Sequence, residues 1–227
     1  MRGAPSRAST QGSRARVVIA PPDRRGHKTG DRKMTYQTKI TTSRLAIRSG
    51  TAADAPVLRR IFEEASYGLS QHLWAKSFAG EADRDSAILE RMRLKIADPA
   101  MRFRIGEIDG VPAGGLLSYE KDATLEDAGD AGSLIGALIA AENELCGTHY
   151  INALAVFPEF RRRGVARALI EDAAAGAWQP LSLIAVDVNA AALDFYASVG
   201  FRPVARHAMV KEDWDGEGEA WLCLRRP

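Results

Sequence analysis

One stretch limits what this chain can become: Ile151-Asn-Ala-Leu-Ala-Val-Phe-Pro-Glu-Phe-Arg-Arg-Arg-Gly-Val-Ala-Arg-Ala-Leu-Ile170. Ile151 to Val156 is apolar apart from Asn152 and β-branched at both ends, the pattern of a buried strand. Phe157-Pro158 ends it, because proline lacks the N–H that a ladder needs. Beyond Arg161-Arg-Arg-Gly164, residues Val165, Leu169 and Ile170 fall at helical spacing with alanines between them. The order is strand, basic turn with glycine, helix. In that order the glycine lets backbone approach a ligand closely, and the free N–H groups of the first helical turn point at it. The helix dipole and three arginines add positive potential at the same place. Arg161 to Ala166 therefore reads as a cradle for a phosphate or diphosphate, held mostly by backbone N–H groups, with Arg163 adding charge. A solvated charge run is the plain alternative, and the Gly-Val-Ala that follows weighs against it.

A chain of 227 residues suffices for one hydrophobic core, whereas two domains would be small. Its 46% hydrophobic and 26% charged residues place it among soluble globular proteins. No apolar run reaches transmembrane length, and the basic N-terminus lacks the apolar segment of a signal peptide, so no membrane partner is expected. Cys146 and Cys223 are too few for a disulfide framework or a metal site. A reducing, cytoplasmic setting and no metal are the expectations. The net charge of +2 conceals an asymmetry: residues 1–43 hold 10 Lys/Arg against 2 Asp/Glu, and the remainder is acidic. Those first residues, rich in Arg, Gly, Ser, Thr and Pro, are expected to form a disordered basic extension. They have few aromatics and no recognisable nucleic-acid module, so no specific nucleic-acid partner is expected. Met34 within them is a candidate start of translation, which the mass of the native protein tests. Residues 44–227 read as a single domain.

In chain order, Leu45 to Arg48 is a short strand, and Thr51 or Asp54 is placed to cap a helix running to about Ala65, with Pro56 in its first turn. Ser66 to Gly80 is expected to loop, and Asp83 to Ile96 to form a second helix. Arg102 to Ile108 alternates as a strand, Asp109-Gly110 is a hairpin signal, and Val111 to Tyr119 pairs back. Gly114-Gly115 suggests a bulge or a close ligand approach. An acidic loop follows over Glu120–Asp130. The alanine-rich Ser133 to Leu145 is expected to be a helix, explained equally by core packing and by a homodimer contact. Strands are expected again at Leu181–Val186, Arg202–Val210 and Ala220–Leu224, with a helix from Asn189 to Val199 that Gly200 terminates. The pattern describes an α+β, α/β/α-layered fold with a mixed, mostly antiparallel sheet of six or seven strands and helices on both faces. An early hairpin and a late basic turn separate it from a dinucleotide-binding fold.

The motif Arg161-x-x-Gly164-x-Ala166 resembles the Arg/Gln-x-x-Gly-x-Gly/Ala signature of the GCN5-related N-acetyltransferase (GNAT) superfamily, and Leu154-Ala-Val-x-Pro158 is similar to that family's fourth strand. The resemblance covers about Arg44 to Arg226. A second constellation, Asn189-x-x-Ala192-x-x-Phe195-Tyr196-x-x-x-Gly200-Phe201, is similar to the family's Asn-x-x-Ala-x-x-x-Tyr-x-x-x-Gly-Phe pattern. The resemblance implies acetyl-coenzyme A as cosubstrate, its diphosphate on the amides of Arg161, Arg162, Arg163, Gly164, Val165 and Ala166. It also implies a splay between the fourth and fifth strands, expected between Ile151–Val156 and Leu181–Val186, whose freed backbone takes the pantetheine arm. Leu154, Ala155 and Val156 are implied to line that arm.

The implied reaction is direct attack of a neutral primary amine on the thioester in a ternary complex, the acceptor being a small molecule or a protein or peptide amine. An amide near Ala155 and Val156 is expected to polarise the carbonyl, and Tyr196 to protonate the leaving thiolate. Alanine at 192 leaves room for the coenzyme, and Asn189 either bonds to it or caps its own helix. Glu120 is the leading candidate base, with Asp122, Glu142, Tyr150, His149 and His72 as rivals. The Ser66–Gly80 and Glu120–Leu145 segments are expected to wall the acceptor pocket, and the acidic residues of the second suit a cationic amine, a polyamine or a lysine side chain. The competing readings are another acyl-coenzyme A-dependent transferase, or a catalytically inactive acyl-coenzyme A sensor or interaction module.

Overall fold

The structure, a computed structural model, describes residues 44–124 and 132–227. The extension expected over 1–43, Met34 within it, and most of the acidic loop expected over Glu120–Asp130 lie outside the described residues. The elements are β1 (Leu45–Ser49), α1 (Ala55–Ala65), α2 (Leu69–Ser77), α3 (Arg84–Ala97), β2 (Met101–Ile108), β3 (Val111–Lys121), α4 (Leu134–Asn143), β4 (Thr148–Val156), α5 (Val165–Gly176), β5 (Leu181–Val186), α6 (Ala190–Ser198), β6 (Arg202–Ala208) and β7 (Ala220–Arg226). The seven strands form one sheet in the order β1-β2-β3-β4-β5-β7-β6. Every adjacent pair is antiparallel except β4 and β5.

That parallel pair positions the site. β4 and β5 are joined only at His149–Leu181, Tyr150–Ser182 and Ile151–Leu183, after which the ladder stops although both strands continue. The expected splay is present. It leaves one edge of β4 from Asn152 onward without a partner strand. A bulge in the β3–β4 register between Leu117 and Ser118 falls at the same level, opposite Ile151 and Ala153. A bulge bends and twists a strand, which directs β4 away from β5 here.

Side chains alternate across the sheet into two faces. On one, Leu116, Ile151, Leu183 and Leu224 pack with Val165, Leu169 and Ile170 of α5 and with the buried Phe201. On the other, Leu117, Ala153 and Ala155 pack with Leu58 and Ile61 of α1 and Met92 of α3. Each fully buried Leu, Ile or Phe contributes about 1.5–3 kcal/mol by leaving water. Asp54 begins the α1 face, accepting from Thr51 N at 2.8 Å and from Arg48 Nη2 at 2.8 Å. The Arg48 guanidinium pulls its carboxyl down to about 2. The stability from this cluster is therefore present above the ordinary carboxylate range and is lost as pH falls toward about 2.

Two expectations change. Leu69–Ser77, expected to loop, is a helix, entered through Tyr67 at φ 54° and Gly68 at φ 84°. It buries only Leu69 and Ser70, so its hydrophobic period is too weak to read from sequence. β3 runs on through Glu120 to Lys121, so Glu120 belongs to a strand and not to the acidic loop.

Candidate active site

A cleft of about 1190 Å³ opens at the C-terminal end of β4. Its floor is Leu154, Ala155 and Val156; one wall is Arg161, Arg162 and Gly164 to Arg167; the opposite wall is Asn189, Ala192, Phe195 and Tyr196 of the α6 segment. α1 and the turn after it close the third side with Arg60, Glu63, Glu64 and Tyr67. The structure thus brings together the two motifs that lie far apart in sequence. Of the residues singled out there, Arg163, Glu120 and the rival bases Asp122, Glu142, Tyr150, His149 and His72 are not in the cleft wall. Arg163 stands over the Phe160 ring, 5.6 Å from its centroid.

The basic turn has the backbone of an anion nest. Arg162 has φ 65° and Gly164 φ 81°, both left-handed. For a non-glycine residue this is an uncommon conformation, held in place by its surroundings. α5 then begins at Val165 with no side-chain cap on its first turn. Its first N–H groups have no intrahelical acceptor, and the residues that carry them, Gly164 to Arg167, line the cleft. Among the described residues no carboxylate pairs with Arg162 or Arg167, so neither charge is offset by a partner there. Electrostatics and geometry both suit a diphosphate.

The floor is decided by strand parity. Phe157 N donates to Ala113 O at 2.9 Å, so the backbone groups of Phe157 and Ala155 face β3. Those of Leu154 and Val156 face the opened edge. The amide of Ala155, expected to face a ligand, is turned inward instead. Gly114 is pressed against it: a Cβ there would come within 2.3 Å of Ala155 O and 2.8 Å of Val156 Cα. The expected bulge is present beside Gly114, where the β2–β3 register shifts between Gly106 and Glu107, and the glycine also lets β3 and β4 approach closely. Gly114→Ala is expected to destabilise the fold by about 1–3 kcal/mol and to lower coenzyme affinity by moving β4, as measured by denaturation and calorimetric titration. Wild-type values for both would show that the strands are not in tight contact.

On the α6 wall, Asn189 Oδ1 accepts from Ala192 N at 3.1 Å, so this side chain caps its own helix. Tyr196 is wedged between Phe195 and Phe201, with ring centroids 5.6 and 5.7 Å away. Burial pushes its hydroxyl up to about 12, which keeps it protonated at neutral pH.

Glu120 lies elsewhere. β3 and β4 are antiparallel, so the end of β3 sits beside the start of β4, with Glu120 opposite His149. At the rise of an extended strand that is about 20 Å from Ala155. Its Oε1 meets His149 Nδ1 at 2.8 Å, and His149 Nε2 meets Ser118 Oγ at 2.8 Å. A carboxylate only accepts, so Nδ1 carries a proton and donates to Glu120, and Nε2 shares a hydrogen bond with the Ser118 hydroxyl. This relay ties β3 to β4 below the splay. Glu142 is likewise occupied, by the Tyr119 hydroxyl and by the buried Lys121 at 3.2 Å. The wall residues that sequence reasoning missed are those of α1. Arg60, Glu63 and Glu64 read there only as the polar face of an amphipathic helix, and no local signal aims them at a site.

Residues 121–203 match the sequence model of the acetyltransferase (GNAT) domain. No curated protein sequence matches the chain. Among solved structures, an N-acetyltransferase from Staphylococcus aureus superposes with a TM-score of 0.52 at 20% identity, over 79% of this chain and 99% of that one. An acetyltransferase from Thermus thermophilus gives 0.50 at 19% identity, over 81% and 96%. The PaiA N-acetyltransferase of Thermoplasma acidophilum, solved in complex with coenzyme A, gives 0.48 at 14% identity, over 81% and 98%. The family match thus lies within residues 121–203, and the fold is the one seen in the Staphylococcus aureus and Thermus thermophilus structures. Among the described residues no group of His, Cys, Asp and Glu is arranged to hold a metal, and no helix is long and apolar enough to cross a membrane.

Proposed function

We propose that residues 44–227 act as one N-acyltransferase domain that moves an acetyl group from acetyl-coenzyme A to a primary amine in a ternary complex. The observation that carries this reading is the uncapped start of α5, next to the left-handed Arg162 and Gly164, at a cleft whose floor is the β4 edge that has no partner strand. The diphosphate rests on the N–H groups of Gly164 to Arg167, with Arg162 and Arg167 adding charge. The pantetheine arm takes the place of the missing strand and bonds to the outward groups of Leu154 and Val156. Leu154 lies farther from the diphosphate, so its N–H is the one assigned to the thioester oxygen.

The amine attacks the carbonyl carbon, the C–S bond breaks, and the thiolate takes its proton from the Tyr196 hydroxyl. Tyrosinate then recovers a proton from solvent. The distance of Glu120 from the cleft argues against it as the base, and the amine's proton is assigned to water. Much of the acceleration is positioning of the two reactants. The test is thiol release on mixing the protein with acetyl-coenzyme A and a panel of primary amines, with coenzyme A binding measured in parallel. Turnover with at least one amine supports the reading. Tight binding without turnover across the panel favours the sensor instead.

A further inference from the structure

Arg161 lies across the path assigned to the coenzyme. Its Nε donates to Val156 O at 3.2 Å, and its Nη2 meets Glu64 Oε2 at 3.1 Å. Val156 is one of the two β4 residues whose backbone faces the opened edge. A pantetheine arm that bonds there displaces the Arg161 side chain, and the diphosphate beside it offers that guanidinium a stronger partner than one carboxylate. Glu64 is then left alone. Among the described residues Arg161 is its one ion-pair partner, whereas Glu63 is held by Arg59 and Glu159 by Arg60. Glu64 lines the cleft with a side chain 26% exposed, so its charge is only partly hydrated once the arginine leaves.

We infer that Glu64 binds the acceptor, that coenzyme binding uncovers it, and that the acceptor is an amine carrying a second, cationic group. This rests on the transfer reaction proposed above. The second group follows from the chemistry of attack. An amine held as ammonium by a carboxylate has no lone pair, so the nitrogen that attacks must be a different, neutral one. A diamine satisfies both needs: one end is anchored as a cation on Glu64 while the other reaches the thioester. The acidic character expected of the acceptor wall is thus supplied by α1, and only in the coenzyme-bound protein.

Coupling of this kind is reciprocal: the coenzyme raises diamine affinity by the same factor as the diamine raises coenzyme affinity. The test compares a linear diamine with the monoamine of equal carbon count. Thiol release gives kcat and KM, and calorimetric titration gives diamine binding with and without saturating coenzyme A. In the wild type, kcat/KM for the diamine is expected to exceed that for the monoamine by about tenfold, and coenzyme A to tighten diamine binding by about tenfold. In Glu64→Gln the preference collapses toward unity through KM, and Glu64→Asp restores part of it. If Glu64→Gln keeps the preference, or if the diamine binds the free wild type as tightly as the coenzyme-bound form, the role of Glu64 is overturned and the transfer reaction stands. If no amine releases thiol, both are overturned.

Discussion

Gly164→Val is expected to abolish coenzyme A binding, a loss of at least about a hundredfold in affinity, in a protein that remains folded. Gly164 has φ 81°, and a Cβ added there meets no atom within 4 Å. The substitution therefore creates no clash in the core. Its cost is conformational, roughly 1–3 kcal/mol for a β-branched residue held in the left-handed region. That strain is relieved if the turn relaxes, but relaxing it redirects the N–H groups of the nest. If the turn does not relax, the valine side chain stands at the mouth of α5, where the diphosphate must sit. Either route removes several charge-assisted hydrogen bonds at once. Calorimetric titration with coenzyme A and circular dichroism test the two halves. Affinity within about threefold of wild type in a folded variant would falsify the assignment of the diphosphate to this helix start.

The second large effect is expected from Tyr196→Phe: turnover falls about a hundredfold or more, while coenzyme A affinity changes less than threefold. A positioned general acid is worth about 10²–10⁴ in rate. Phenylalanine keeps the ring between Phe195 and Phe201 and removes only the hydroxyl, so the packing of α6 is preserved. The pH profile adds an independent readout. With the hydroxyl pushed up to about 12 by burial, Tyr196 stays protonated through the assay range. The wild-type rate should therefore show no downturn from loss of this proton below about pH 10, and such a fall would need another group. The stability effect runs the same way. A folded-state value raised above that of the unfolded chain favours folding below about pH 10, and this contribution is lost as pH rises toward about 12. If Tyr196→Phe turns over at the wild-type rate, the proton comes from elsewhere and Tyr196 is only a wall.

Much of this architecture was legible in the chain because the signals are local. Ile151–Val156, Arg161–Gly164 and the apolar spacing of Val165, Leu169 and Ile170 declare a strand, a turn and a helix through short-range patterns. Asp109-Gly110 likewise declares its hairpin, with Asp109 at φ 53° and Gly110 at φ 81°. Asn189 declares its cap. Each is a statement about φ, ψ and hydrogen bonds within a few residues, and such statements survive without knowledge of what lies across the sheet.

What the sequence determined by itself is therefore the succession of elements and the place of the basic turn at a helix start. The tertiary structure alone decided which groups face one another there. Strand parity turned Ala155 toward β3 and left Leu154 and Val156 outward. The antiparallel pairing of β3 with β4 carried Glu120 to the far end of the strand, into a relay with His149 and Ser118. Packing of α1 beside β4 brought Glu64 to Arg161 across a long stretch of chain. Periodicity reports which side of an element is apolar. It contains nothing about the register or the neighbour against which that side comes to rest, because those are set by long-range contacts that form only when the sheet assembles.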